Sequence, residues 1–125
     1  MRMLIIDDSK TMRRYLSALA SELAIETDEA TDGQDALTRL GDSYPTQPFD
    51  VALVDWDMPR MNGVEFVKAV RREPYLDSLK LLMVTSHNVI ADVRTAIAAG
   101  ADDYLMKPLD GEMMASKLRL LGLLD

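Results

Sequence analysis

Acidic, hydroxyl and amine side chains follow several short apolar runs in this chain. The runs and the residues after them are 4–6 before Asp7 and Asp8, 51–54 before Asp55, 81–84 before Thr85, and 104–106 before Lys107. If these runs are parallel strands of one sheet, their carboxyl ends share one edge, where ligands of open α/β folds bind. The pattern therefore predicts one cleft that collects three carboxylates, a hydroxyl and an ammonium group.

Such a set of side chains suits the chemistry of phosphate groups. Carboxylates packed together raise one another's pKa, so their coexistence favours a bound cation. Mg²⁺ fits because it takes a few carboxylates and completes its coordination with water, carbonyl and phosphate oxygens. A carboxylate acceptor, a divalent ion, Lys107 and the Thr85 hydroxyl together meet the needs of phosphoryl transfer. The chain has no glycine-rich phosphate loop, so we do not expect a nucleotide substrate.

Alternating strand and helix patterns must position these residues. We predict strands at 4–6, 25–30, 51–54, 81–84 and 104–106, a loop at 41–48, and helix starts at Ser9 and at Asn62-Gly63. The first, third and fourth strands are apolar without interruption, which is typical of parallel strands covered by helices on both faces. The apolar helix faces are Met12, Leu16, Leu19 and Leu23; Ala36, Leu37 and Leu40; Val64, Val67 and Val70; Ile90, Val93 and Ile97; and Met114, Leu118 and Leu121.

Composition narrows the class of protein. The chain has 125 residues, 48% of them hydrophobic, which predicts one domain over residues 1–125. A net charge of -7 disfavours binding to nucleic acid or to an anionic membrane. The chain has no cysteine and one histidine, so a metal would be held by oxygen atoms. Neither a signal peptide nor a membrane-spanning run is present in the sequence, and we expect a cytoplasmic protein.

Six motifs, taken together and in this order, resemble the receiver domain of two-component response regulators. The resemblance runs from about residue 2 to 121 and implies a flavodoxin-like, doubly wound α/β fold. Its five-stranded parallel sheet would have the order 2-1-3-4-5, with five helices. Residues 8–14 and Asp55-Trp56 look especially like single-domain receivers of the chemotaxis type. The motifs are Asp7-Asp8-Ser9, residues 55–59, Met61-Asn62-Gly63, Val84-Thr85-Ser86, Gly100-Ala101 and residues 104–108.

The resemblance implies a role for each residue of the cleft. Asp55 would accept a phosphoryl group from a phosphohistidine on a histidine kinase or a histidine phosphotransfer protein. Asp8, Asp55 and the backbone carbonyl of Asp57 would bind Mg²⁺, and Asp7 would act through a metal-bound water. Lys107 would hold a phosphoryl oxygen, and its peptide bond to Pro108 would be cis.

The resemblance also implies a conformational switch. Thr85 would move toward the phosphoryl group, and Tyr104 would exchange an exposed position for a buried one. The face formed by the fourth helix, fifth strand and fifth helix would then bind an output protein. We expect no enzyme activity beyond self-catalysed phosphoryl transfer and autodephosphorylation, and a monomer or weak dimer. We expect no effector domain after residue 121 and therefore expect output through a partner; a receiver excised from a larger regulator is the alternative.

Two residues near the cleft bear on how long a phosphoryl group would persist, and the resemblance implies that the position two after the acceptor varies in the family. Asp57 stands two positions after Asp55 and adds a negative charge, and His87 stands two positions after Thr85. We hypothesise that Asp57 and His87 flank the approach of the attacking water and set the lifetime of the phosphorylated state. A lone imidazole matches hard oxygen ligands poorly, so we do not expect His87 to bind the metal.

Two other functions fit parts of the sequence. Asp55-Trp56-Asp57 satisfies the Asp-x-Asp core of Mg²⁺-dependent aspartate-nucleophile phosphatases. Those enzymes carry the motif on their first strand and add a cap, whereas here it follows the third strand of a minimal domain. A phosphorylation-independent binding module is the other alternative, but the complete set of acceptor, metal ligands and lysine argues against it.

Overall fold

All five predicted strands lie in one parallel sheet, in the order 2-1-3-4-5. The computed structural model describes residues 1–125. The strands are β1 (Arg2–Ile6), β2 (Glu26–Ala30), β3 (Val51–Asp55), β4 (Lys80–Thr85) and β5 (Asp103–Met106). The helices are α1 (Lys10–Glu22), α2 (Gly33–Ser43), α3 (Gly63–Arg71), α4 (Ile90–Ala99) and α5 (Gly111–Leu120). The predicted fold class and strand order are confirmed.

Helices cover both faces of the sheet and enclose two apolar layers. Leu16 and Ala20 of α1 and Met114 and Leu118 of α5 pack into one layer with alternate residues of the strands. Helices α2, α3 and α4 pack against the opposite face of the sheet. Every residue of β3 is buried, as the uninterrupted apolar run predicts. None of the helices combines the length and apolar character needed to cross a membrane.

Capping side chains set where the helices begin. Ser9 Oγ accepts a hydrogen bond from the Met12 amide at 3.2 Å, so α1 starts where the sequence predicts. Asn62 and Glu65 form a reciprocal capping box at the start of α3. The predicted loop at 41–48 is wrong in its first three residues, because α2 continues through Gly41 to Ser43. A short 3₁₀ helix at Pro74–Leu76 has no counterpart in the sequence-based prediction.

Arg71 fastens the end of α4 to the neighbouring elements. Its Nε donates to the carbonyl of Gly100 at 2.9 Å, and its Nη2 donates to the carbonyl of Leu79 at 2.9 Å. Nη2 also lies 2.9 Å from Oδ2 of Asp102, which in turn accepts the amide of Leu81 at 2.7 Å. This group of contacts, the Arg71 clamp, lies at the edge of the sheet where β4 and β5 begin.

Candidate functional site

Three carboxylates meet at the carboxyl edge of the sheet. Asp7 and Asp8 follow β1, Asp55 ends β3, and the two strands pair directly in register. One carboxylate oxygen from each residue lies within 4.8 Å of the others. Asp7 and Asp55 are 2% and 5% exposed, whereas Asp8 is exposed to solvent. The predicted convergence of these three residues is therefore present in the structure.

Lys107 brings a positive charge to the same cluster. Its Nζ lies 3.1 Å from Oδ1 of Asp55 and 3.5 Å from Oδ2 of Asp7. The backbone amide of Lys107 donates to the carbonyl of Thr85 at 2.8 Å, which anchors the residue beyond the end of β5 to the end of β4. The peptide bond between Lys107 and Pro108 is cis.

The charges at this edge are not balanced. Burial raises the pKa of Asp55 above its ordinary value, the charge of Asp7 raises it further, and Lys107 opposes both effects. Burial alone would lower the pKa of Lys107, but the hydrogen bond and charge of Asp55 outweigh it, so that pKa also lies above its ordinary value. Three carboxylates thus face one ammonium, and this oxygen donor set fits a hard divalent cation such as Mg²⁺.

Further contacts fix the backbone around the carboxylates. Oδ1 of Asp7 accepts the amide of Ser9 at 2.8 Å, and Arg13 Nη1 donates to the carbonyl of Asp7 at 2.7 Å. The amide of Gly63 donates to the carbonyl of Trp56 at 2.8 Å. A Cβ atom on Gly63 would lie 2.5 Å from the carbonyl oxygen of Asp55, so only glycine fits there.

The comparisons with known proteins agree with this geometry. The family model described as response regulator receiver domain matches residues 3–119. The chain belongs to this family. Among curated receivers, it is 36% identical to the chemotaxis protein CheY homolog of Campylobacter jejuni, covering 94% of this chain and 89% of that protein. It is also 36% identical to CheY1 of Helicobacter pylori, with 96% and 95% covered.

A solved receiver has the same fold. The structure of the chemotaxis protein CheY4 of Vibrio cholerae superposes with a TM-score of 0.86 at 32% identity, covering 95% of this chain and 96% of that one. These similarities extend over nearly the whole length of the proteins. The chain is therefore a receiver of the chemotaxis type, which is the family that its motifs predicted.

The two predicted switch residues of this receiver lie on neighbouring strands. Thr85 ends β4 and is 2% exposed, and Tyr104 lies in β5, which pairs with β4. The ring of Tyr104 is half-buried and packs against the apolar layer under α2, α3 and α4. The ammonium of Lys117 lies 5.2 Å from its ring centroid. In the register of β4 and β5, Tyr104 lies opposite Met83 and Thr85 lies opposite Met106.

His87 and Asp57 are in direct contact in the receiver. His87 Nε2 lies 3.0 Å from Oδ2 of Asp57, and Nδ1 lies 3.1 Å from Oδ2 of Asp92. The imidazole also stacks on the Trp56 ring, with 4.6 Å between centroids and 15° between planes. The hydrogen bond to Asp92 and the neighbouring Asp57 carboxylate raise the pKa of His87. Carboxylate oxygens only accept, so a doubly protonated ring satisfies both contacts.

Sequence reasoning missed Asp92 and the contact of Arg13 with Asp7. Asp92 lies in the first turn of α4, and an acidic residue there is explained by the helix dipole alone. Arg13 lies in α1 in the sequence motif that resembles chemotaxis receivers, but nothing in the spacing indicates that its guanidinium turns back to the carbonyl of Asp7. Both contacts depend on side-chain directions rather than on periodicity.

Proposed function

We propose that this receiver accepts a phosphoryl group on Asp55 and acts as a switch in a two-component pathway. The donor is a phosphohistidine on a histidine kinase or a histidine phosphotransfer protein. The observation that carries the proposal is the position of the Asp55 carboxylate, 3.1 Å from Lys107 Nζ and next to the carboxylates of Asp7 and Asp8. Residues 1–125 function as one receiver domain in this proposal, and the protein works in the cytoplasm with its donor.

The acidic cluster supports a role for Mg²⁺. Asp8, Asp55 and the backbone carbonyl of Asp57 would hold the ion, and Asp7 would contact it through a water molecule. The bound ion would offset the negative charge of the acceptor carboxylate and of the incoming phosphoryl oxygens.

The chain's own residues perform the remaining steps. A carboxylate oxygen of Asp55 attacks the phosphorus atom, and the bond from phosphorus to the partner's imidazole nitrogen breaks, which returns that histidine to its free form. The ammonium of Lys107 stabilises a phosphoryl oxygen, and the Thr85 hydroxyl donates a hydrogen bond to another. The reaction modifies the receiver itself, so the protein is a regulator and not an enzyme with a separate substrate.

The new group changes the surface that binds the output protein. It adds about 1.5 to 2 negative charges and three acceptor oxygens at Asp55, which draw Thr85 inward and allow Tyr104 to follow. The affected surface is the face of α4, β5 and α5. Exposed apolar side chains in α4 and α5 are Ile90, Ile97 and Met113, and an open groove beside Tyr104 lies between β5 and α5. The occupant is an output protein, and neither nucleic acid nor a membrane is required.

Phosphorylation by a small donor tests the proposal directly. Parent protein and Asp55→Asn are incubated with acetyl phosphate and Mg²⁺, and the phosphoryl mass is measured on the intact protein. We expect the parent to gain one phosphoryl group, Asp55→Asn to gain none, and EDTA to suppress the reaction. Asp42→Asn, at an exposed position on α2, is the matched control and retains the reaction. Equal modification of Asp55→Asn and parent would contradict the proposal, and Asp55-dependent turnover of a generic phosphate ester would favour a phosphatase.

A further inference from the structure

His87 joins two elements that have no other side-chain hydrogen bond between them. On one side its ring contacts the carboxylate of Asp57, two residues after the proposed acceptor, at 3.0 and 3.1 Å. On the other side it contacts Asp92, in the first turn of α4, at 3.1 Å. Stacking on Trp56 fixes the plane of the ring between the two carboxylates. The imidazole is therefore a bridge from the acceptor loop (residues 56–62) to α4.

The start of α4 has few other attachments. Its N-cap residue, Val89, makes no side-chain capping hydrogen bond, and Ala96 is the one buried residue of the helix. Ile90, its first residue, is 69% exposed. The far end of α4, in contrast, is held by the hydrogen bond from Arg71 to Gly100. The contact between His87 and Asp92 is the one side-chain hydrogen bond that joins the first turn of α4 to a residue outside the helix.

The backbone of His87 is tied to Thr85 as well. Its amide donates to Oγ1 of Thr85 at 2.9 Å, so a Thr85 side chain that turns toward Asp55 takes away the acceptor of this amide. We propose that His87 is a positioning residue that transmits the occupancy of Asp55 to the first turn of α4, through Asp57 on one side and Asp92 on the other. This inference rests on the proposed function. It adds a route to α4 that does not pass through Tyr104.

The restraint itself is tested without any phosphoryl group. Hydrogen–deuterium exchange is measured for the first turn of α4 in parent, His87→Phe and Asp92→Ala. His87→Phe keeps an aromatic ring for Trp56 but has no ring N–H, and Asp92→Ala removes the second partner. We expect exchange of the first turn of α4 to be about fivefold faster in both variants, because the loss of one ordinary hydrogen bond changes an equilibrium constant by about this factor. Asn88→Ala, at an exposed neighbouring position, serves as the control close to the parent. Asp92→Asn keeps an accepting oxygen but loses the charge, so its exchange should fall between that of the parent and that of Asp92→Ala.

Transmission is tested with beryllofluoride and Mg²⁺ as a stand-in for the phosphoryl group. Binding is measured by calorimetry, and exchange is followed at the first turn of α4 and at β5. We expect His87→Phe and Asp92→Ala to bind the probe and respond at β5 like the parent, with at least a fivefold smaller change at α4. An undiminished response at α4 in both variants would overturn the inference while leaving the proposed function intact. Absence of binding to the parent would overturn the proposed function. The exchange rates measured without the probe would still show whether the contact between His87 and Asp92 restrains the first turn of α4.

Discussion

Lys107 Nζ lies 3.1 Å from Oδ1 of Asp55, although Asp55 ends β3, Lys107 follows β5, and β4 lies between these two strands in the sheet. The lysine spans this gap from the end of β5, where its amide is held by the carbonyl of Thr85. The ion pair is largely shielded from solvent, because the side chains of Lys107 and Asp55 are 22% and 7% exposed. The position of Lys107 therefore depends on β4 and β5 keeping their register.

Replacing Lys107 should slow phosphorylation without preventing folding. In Lys107→Met the developing charge on the phosphoryl oxygens loses one fixed donor, and we expect the rate with acetyl phosphate to fall about 10²-fold. The rate is measured by intact mass over time at saturating Mg²⁺. Lys10→Met, at an exposed position in α1, is the control with the same change of side chain. An equal rate in Lys107→Met and parent would show that the lysine does not act on the phosphoryl group.

Asp55→Asn should stabilise the protein in the absence of Mg²⁺. The substitution removes one of three mutually repelling carboxylates from a buried site, where burial already disfavours its charge. Urea unfolding in EDTA should give a higher free energy of unfolding for Asp55→Asn than for the parent. Mg²⁺ at about 100 times its Kd should then stabilise the parent by about 2.7 kcal/mol and the variant by less. Lower stability of Asp55→Asn in EDTA would contradict the idea of excess negative charge.

Asp32 links helix stability to pH. Its side chain caps α2, and the hydrogen bond from the Asp35 amide holds the pKa of Asp32 below its ordinary value, with a further contribution from Arg60. The folded state binds this proton less readily than the unfolded chain. The resulting stabilisation is therefore present above the ordinary aspartate pKa of about 3.9 and is lost as pH falls through the lower, folded value.

Two substitutions of Asp32 separate the cap from the charge. Asp32→Ala removes the capping oxygen and should cost about 1 kcal/mol at pH 7. Asp32→Asn keeps a capping oxygen and should lose less. The difference in free energy of unfolding between parent and Asp32→Asn, measured by denaturation from pH 7 to acid pH, should shrink below about pH 3.9. A difference that is independent of pH would show that the charge of Asp32 contributes nothing.

Gly63→Ala should damage the acceptor loop. The added Cβ would lie 2.5 Å from the carbonyl oxygen of Asp55 and 3.0 Å from Cα of Trp56, both backbone atoms that cannot rotate away. We expect a loss of about 1 to 3 kcal/mol in free energy of unfolding. Gly41→Ala is the matched control, since it is also helical and its Cβ would meet only the Tyr75 hydroxyl at 3.6 Å. That change should stabilise the protein by up to about 1 kcal/mol, and a similar loss at both positions would refute the steric argument.

Asp57 and His87 remain the predicted determinants of the phosphoryl lifetime. Asp57 stands two residues after Asp55, the proposed acceptor, and its carboxylate contacts the His87 ring. Removing the ring in His87→Ala opens the path by which water would reach the phosphorylated Asp55, so we expect faster autodephosphorylation. We expect a smaller change in the same direction for Asp57→Asn. Loss of phosphoryl mass after removal of the donor gives the rates. Rates equal to that of the parent in both variants would reject the hypothesis.

Periodicity and strand ends predicted the fold and the central cluster, but not the side-chain contacts around it. Asp7, Asp8 and Asp55 could be placed together because the ends of parallel strands meet by geometry alone. The end of α2 was misjudged because Gly41 and Ser43 are typical of loops, although here both are helical. The contacts of His87 with Asp92 and of Arg13 with Asp7 were not predicted, because they depend on rotamers chosen by packing in three dimensions.

The Arg71 clamp gives α4 one anchored end. The helix has 10 residues and is therefore about 15 Å long. Arg71 holds Gly100, directly after its last residue, and Ile90 is its first residue, at the opposite end. A displacement of Asp92 would rotate α4 about its end at Gly100 instead of translating the helix along the sheet. Ile90 lies farthest from Gly100 and would move the most, so a small displacement of Asp92 would move an exposed apolar side chain by a larger distance.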